Sequence, residues 1–170
     1  IDDNWQRYYG NFDFKAERFS NPKAMMDELH QLGFKVMVWV CPFVSADSPE
    51  ARDLDAKGYL LRDKDGQMAV LRWWNGASAC YDLTNPAALA SFVGTLRAAQ
   101  DKYGIDGYKF DAGDNNCYAS TALASSASTV DHTESYARLG LSFPVNEFRA
   151  CWKMGNQPLV QRLGDKDYSW

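Results

Sequence analysis

The sequence has 170 residues, 46% of them hydrophobic, which is enough for one sizeable core. Its formal charge of −4, without any basic stripe, argues against nucleic acid as the main partner. No apolar run approaches the ~20 residues of a membrane span, and the cysteines (Cys41, Cys80, Cys117, Cys151) lack the CxxC spacing of a zinc or redox site.

In chain order, Asn21-Pro22 predicts a helix start. Met25, Met26, Leu29 and Leu32 follow at helical spacing, and Gly33 is the stop. The next run, "FKVMVWVCPF" (34–43), is continuously apolar and rich in β-branched residues, the pattern of a strand buried on both faces. From Val44 to Tyr81 the chain reads as long and irregular. Within it "LLRDKDGQMAVLRWW" predicts a hairpin turning at Lys64-Asp65-Gly66, since a calcium loop lacks its later ligand positions there. "TNPAALASFVGTLRAAQDKYG" (84–104) is a second capped helix, and "IDGYKFD" is the next strand. Residues 112–133 form a polar, small-residue tract that reads as a loop. "SYARLGL" then reads as a short helix, "FPVNEFR" as a strand ending at Arg149, and "QPLVQRLGD" as a strand ending at Asp165. The four thiols read as free, with a Cys80–Cys117 bridge open only if their loops meet.

Helices alternating with buried strands imply βα units in a parallel sheet. The predicted strands end in residues capable of chemistry: Asp2, Trp39, Asp111, Arg149 and Asp165. Parallel strands of a barrel present their C-terminal ends on one rim, where active sites sit. A doubly wound sheet would instead carry a glycine-rich phosphate loop, and the sequence has neither GxGxxG nor a P-loop. The fold class is therefore α/β, a partial (β/α)8 TIM-type barrel with about five consecutive parallel strand ends and helices outside. A complete barrel typically needs ~250 residues. Residues 1–170 thus read as an incomplete piece of a catalytic barrel domain, inactive in isolation.

On bare chemistry, two carboxylates on one rim, Asp111 and Asp165, suit acid–base or covalent glycosyl work, and each also suits a helix cap. Lys109 stands two positions before Asp111, on the same strand face, where a cation keeps a carboxylate ionised. The segment Asp111-Ala112-Gly113-Asp114 alone also fits a magnesium-dependent phosphoryl-transfer site.

Four motifs carry a resemblance. "IDDNW…GNFDFKAERFSNPKAMMDELHQLGFKVMVWVCPF", "YDLTNPAA", "KFDAGD" and "FRACWKMGNQPLVQRLGDKDYSW" resemble, in this order, stretches of glycoside hydrolase family 31. The Trp pair of "LRWWNGASACYD" is similar to the α-galactosidase and myogenesis-regulating-glycosidase-like branch of that family. The resemblance implies a retaining α-glycosidase without cofactor or metal, acting on an oligosaccharide or α-glycoside. Asp111 would be its nucleophile and Asp165 its acid/base. Asp2, Trp39, Trp74, Lys109 and Arg149 would bind substrate or position charge, with Asp3 and Trp73 as alternates to their neighbours. Asp114 stands where the family often has Glu. Arg162 stands where many members carry an aromatic residue, which leaves Asp167 as a competitor to Asp165. A carbohydrate-binding pseudoenzyme and an α-glucosidase or α-xylosidase are the alternative readings.

Overall fold

The computed structural model describes residues 1–118 and 127–162. The elements run β1 (Gln6–Tyr8), β2 (Asn11–Phe14), α1 (Pro22–Gln31), β3 (Met37–Val40), β4 (Phe43–Val44), α2 (Pro49–Ala56), β5 (Leu71–Trp73), β6 (Gly76–Cys80), α3 (Pro86–Tyr103), β7 (Gly107–Phe110), α4 (Thr129–Leu139) and β8 (Val145–Phe148).

Local chemistry sets the helix starts. In α1 and α3 an Asn caps the first turn (Asn21 accepts from the Ala24 amide, Asn85 from that of Ala87), and Pro occupies the first helical position. α2 uses Ser48-Pro49 in the same way, and α4 opens on a capping box between Ser128 and Asp131.

The centre is a parallel sheet ordered β3-β7-β8, in which Trp39, Lys109 and Glu147 share one register level. The sheet continues past both named edges. Ile1 donates to the Met37 carbonyl and accepts from the Trp39 amide, while Phe148 bridges Gln161 in parallel. The successive passes therefore lie side by side in chain order, as consecutive βα units must.

Alternation along the strands divides the residues between faces. Val38, Val40, Tyr108, Phe110 and Phe148 are buried in the aromatic core, where Phe110 stacks on Phe148 at 4.5 Å and the Tyr108 hydroxyl donates to the Leu96 carbonyl of α3. Trp39, Lys109, Asp111, Glu147 and Arg149 alternate with them. β4, β6 and β5 form a separate antiparallel sheet beside the strand ends, and β1 pairs with β2. Among the described residues, no helix is long and apolar enough to cross a membrane.

Several expectations are corrected. The strand expected over 34–43 divides at Cys41-Pro42: its first part joins the parallel sheet and its second, β4, turns to pair with β6. The 44–81 segment is more regular than read, holding α2 and the β5–β6 hairpin besides the turn at Lys64-Asp65-Gly66, which Arg62 and Met68 close. The β1–β2 hairpin went unanticipated. α4 starts inside the supposed polar tract and absorbs most of "SYARLGL". The expectation of free thiols holds: Cys80 and Cys117 are both free.

Candidate active site

The site is built around the end of β7. Asp111 is 7% exposed, and its amide, bonded to the Val40 carbonyl at 2.8 Å, extends the pairing with β3 by one step. Directly after it the chain turns sharply. Ala112 lies at φ 56° and Gly113 at φ 78°, the left-handed region that glycine enters freely and alanine only at a cost of about 1–3 kcal/mol. This turn aims the Ala112 amide back at Asp111 Oδ1, 2.9 Å away. The Trp39 indole donates to Oδ2 at 2.8 Å. Arg162 reaches both oxygens, at 3.3 and 3.4 Å, and Arg149 lies 3.9 Å from Oδ1.

The backbone under the carboxylate is braced by Tyr136 of α4. Its hydroxyl donates to the carbonyls of Asp111, at 3.0 Å, and Val40, at 3.3 Å. Burial pushes this phenol well above its ordinary pKa, so it remains a donor throughout the physiological range.

Arg149 links the rest of the rim. Its Nε forms an ion pair with Asp114 at 3.0 Å, placing a guanidinium between the two carboxylates, and it lies 4.7 Å from the centre of the Trp74 ring. Trp74, 49% exposed, stands at the tip of the β5–β6 hairpin. Behind it Trp73 stacks on Phe43 at 4.4 Å and donates to Ser78.

Lys109 points to the same face as Asp111, yet its ammonium pairs with Asp2, 3.1 Å from each oxygen. The expected partnership of Lys109 with Asp111 is thus replaced by one a level lower on the sheet. The alternation that aligns the two side chains also separates them along the strand. Burial works against the Asp2 charge, but the Lys109 bond and the Asp3 amide outweigh it, and the carboxyl lies below its usual range. Asp3 turns the other way, accepting from Tyr9 and Asn75. Asp165 and Asp167 lie outside the described residues.

The structure adds residues that sequence reasoning passed over. Glu147 faces the same side as Arg149 and sits 3.6 Å from Arg162 Nε; its place two positions before Arg149 was the available signal. Arg162, noted only as a departure, is one of the two guanidinium groups on Asp111. Tyr136, Tyr9 and Asn75 act from distant elements and left no local signal. Among the described residues, no cluster of three or more His, Cys, Asp or Glu is arranged to hold a metal.

A buried carboxylate at a parallel-strand end, gripped by an indole, an amide and two guanidinium groups, can receive a positively charged carbon. Comparison with known proteins agrees with the fold. Mouse myogenesis-regulating glycosidase is 32% identical over 174 residues, covering 100% of this chain and 24% of that protein. Alpha-xylosidase XylQ of Lactiplantibacillus pentosus is 30% identical over 112 residues, covering 65% of this chain and 15% of that protein. Among solved structures, the Flavobacterium johnsoniae GH31 dextranase complexed with glucose superposes with a TM-score of 0.82 at 19% identity, over 94% of this chain and 22% of that one. A Trueperella pyogenes cycloalternan-degrading enzyme in complex with a covalent intermediate gives 0.74 at 24% identity, over 100% and 26%. The chain thus spans about a quarter or less of the proteins it matches. Residues 1–154 match the model of the glycosyl hydrolases family 31 TIM-barrel domain, and the chain belongs to that family.

Proposed function

We propose that this chain supplies the catalytic rim of a retaining exo-α-glycosidase, cleaving terminal α-linked sugars through a covalent glycosyl-enzyme. The observation that carries the reading is the setting of Asp111. It is buried at the end of the central strand, held by Trp39 and the Ala112 amide, and balanced by Arg149 and Arg162. Two guanidinium groups balance the charge of a carboxylate nucleophile while the indole and the amide fix its direction.

In the proposed reaction an Asp111 oxygen bonds to the anomeric carbon as the bond to the leaving oxygen breaks, and Asp165 gives that oxygen its proton. Asp165, now a base, takes a proton from water, which attacks the same carbon and releases Asp111. Retention calls for about 5–5.5 Å between the Asp111 and Asp165 carboxyl groups, against about 6.5–9.5 Å for inversion, and a crystal structure of the full-length protein measures this directly. Asp2, paired with Lys109, and Trp39 would contact the terminal sugar.

Trp74 supports an α-galactoside as substrate: an exposed indole held by Arg149 at the rim can admit or exclude an axial hydroxyl. α-Glucosides and α-xylosides are the alternatives. The ordered parallel passes from Ile1 to Gln161 support reading residues 1–170 as consecutive βα units of a larger barrel.

The test is an assay of the full-length protein on a panel of p-nitrophenyl α-glycosides, beside Asp111→Asn. Hydrolysis of one glycoside, abolished by that substitution, is expected. Undiminished activity in Asp111→Asn removes Asp111 from its role, and sugar binding without turnover by the unsubstituted protein favours a pseudoenzyme.

A further inference from the structure

The hairpin bearing Trp74 stands at the rim. Trp73 pairs with Gly76, so the turn consists of Trp74 and Asn75. Two-residue hairpins that match the twist of their strands have positive φ at the first or at both central residues. Here neither Trp74 nor Asn75 has positive φ, and Gly76 alone in this turn does, at 108°. Such a glycine after two ordinary turn residues sets the local shape of the hairpin, and what remains to be fixed is the tip's hold on the rest of the rim.

That hold comes from Asn75. The Asn75 amide nitrogen donates to Asp3 Oδ2 at 2.9 Å and to the Tyr9 hydroxyl at 2.7 Å. The Tyr9 hydroxyl in turn donates to Asp3, whose oxygens lie 3.1 and 3.3 Å away. The triangle closes without conflict, because Asn75 has two amide hydrogens for two acceptors and Tyr9 one hydrogen for the carboxylate. Burial first, and then the Asp3 charge, push the Tyr9 phenol above its ordinary pKa, so it stays a donor.

From this triangle a run of rings leads to the rim. Tyr9 lies 5.9 Å from Trp39 and 5.0 Å, edge-on, from Trp73. Trp73 meets Trp74 at 5.0 Å, and Arg149 lies over Trp74 at 4.7 Å. Asn75 thus ties the Trp74 turn to the chain segment just after Asp2, the residue paired with Lys109.

We propose that Asn75, with Asp3 and Tyr9, is a positioning lock that fixes where Trp74 stands over the sugar pocket and so sets substrate selectivity without touching substrate. The proposal rests on the α-glycosidase reading above. It also separates the paired aspartates: Asp2 belongs to the pocket beside Lys109, and Asp3 to the hairpin.

The test uses the full-length protein with Asn75→Ala, Asn75→Asp, Asp3→Asn and the double exchange Asp3→Asn/Asn75→Asp. Asn75→Ala removes both amide bonds and should raise KM by roughly fivefold to thirtyfold, the equivalent of one to two ordinary hydrogen bonds, with kcat nearly unchanged. Asn75→Asp sets two carboxylates where the 2.9 Å bond stood and should raise KM further. The double exchange restores a donor opposite an acceptor and should return KM close to its starting value. In a Trp74→Ala background Asn75→Ala should add nothing, since the lock acts through that ring. An undiminished effect in that background, or no rescue by the exchange, overturns the proposal.

A second readout needs no turnover. The difference in acrylamide quenching between each protein and its Trp74→Phe counterpart isolates the Trp74 indole. That difference should grow in Asn75→Ala and fall back in the double exchange. If the unsubstituted protein hydrolyses no glycoside while this pattern holds, the enzymatic reading fails and the lock on Trp74 stands. If quenching in Asn75→Ala is unchanged, the lock fails whatever the activity.

Discussion

β7 is flanked by an aspartate at each end, and the two are built in opposite ways. Asp106, just before the strand, is satisfied by close donors: Lys35 at 2.9 Å on one oxygen, and His30 and the Val36 amide at 2.8 Å on the other. Asp111, just after it, has close bonds from Trp39 and the Ala112 amide, but its cations stand off at 3.3–3.9 Å. The first arrangement ties α1, the start of β3 and the start of β7 together and leaves little for a ligand to gain. The second balances charge while leaving the carboxylate able to form a new bond. An aspartate at a strand end is glue or reagent according to how closely its cations hold it: Lys35 stands 2.9 Å from Asp106, whereas the guanidinium groups stand 3.3 Å or more from Asp111.

Exchanging each carboxylate for an amide should break this symmetry most visibly in turnover. Asp111→Asn is expected to lower kcat by about 10⁴-fold or more, the scale of removing a covalent nucleophile. Asp106→Asn should leave kcat near the original value in the folded fraction. Equal losses of turnover in the two variants would show that the ends of β7 are not divided in this way.

Gly107, the first residue of β7, and Gly113, in the turn after it, sharpen the contrast through stability. A Cβ on Gly107 would sit 1.8 Å from the Val145 carbonyl oxygen, where backbone has to move, so Gly107→Ala should cost about 3 kcal/mol or more by forcing β7 and β8 apart. A Cβ on Gly113 would sit 2.3 Å from the Tyr136 ring, on a residue at φ 78°. Gly113→Ala should cost about 1–3 kcal/mol. It should also reduce kcat, because the displaced phenol is the donor to the Asp111 carbonyl. Denaturant midpoints and turnover of the two variants, measured together, check both expectations.

How legible this was in the sequence follows the same division. α1, α3, β7 and β8 announced themselves, because Asn-Pro starts and glycine stops mark helices and short segments with aromatic or β-branched residues between turns mark strands. α2 had an equally local signal in Ser48-Pro49, hidden by the irregular stretch around it. Asp111 and Arg149 were found because a parallel sheet sends strand ends to one rim. The partner of Lys109 was misjudged, since alternation gives the face a side chain points to and not the neighbour it meets there. Arg162, Tyr136 and Asn75 reach the site or its rim from 51, 25 and 72 positions away along the chain, contacts that no local pattern encodes.

The smallest expected effect concerns acid. Burial of Asp106, whose side chain is 12% exposed, works against its charge, but the Val36 amide, Lys35 and His30 together hold the carboxyl below its usual range. A carboxyl with a depressed folded-state pKa binds fewer protons folded than unfolded. Its stabilisation is therefore complete above the unfolded value near 4 and is lost as pH falls through the lower folded value. Asp106→Asn keeps one acceptor oxygen but lacks the charge, so it should be less stable by about 1–3 kcal/mol at neutral pH. The gap should persist down to pH of about 5 and then close as the native carboxyl takes up its proton. Urea midpoints of both proteins between neutral pH and about pH 3 measure it. A gap that widens below pH of about 5 would mean that Asp106 is held in its protonated form, and the contrast with Asp111 would then rest on protonation rather than on how closely the cations stand.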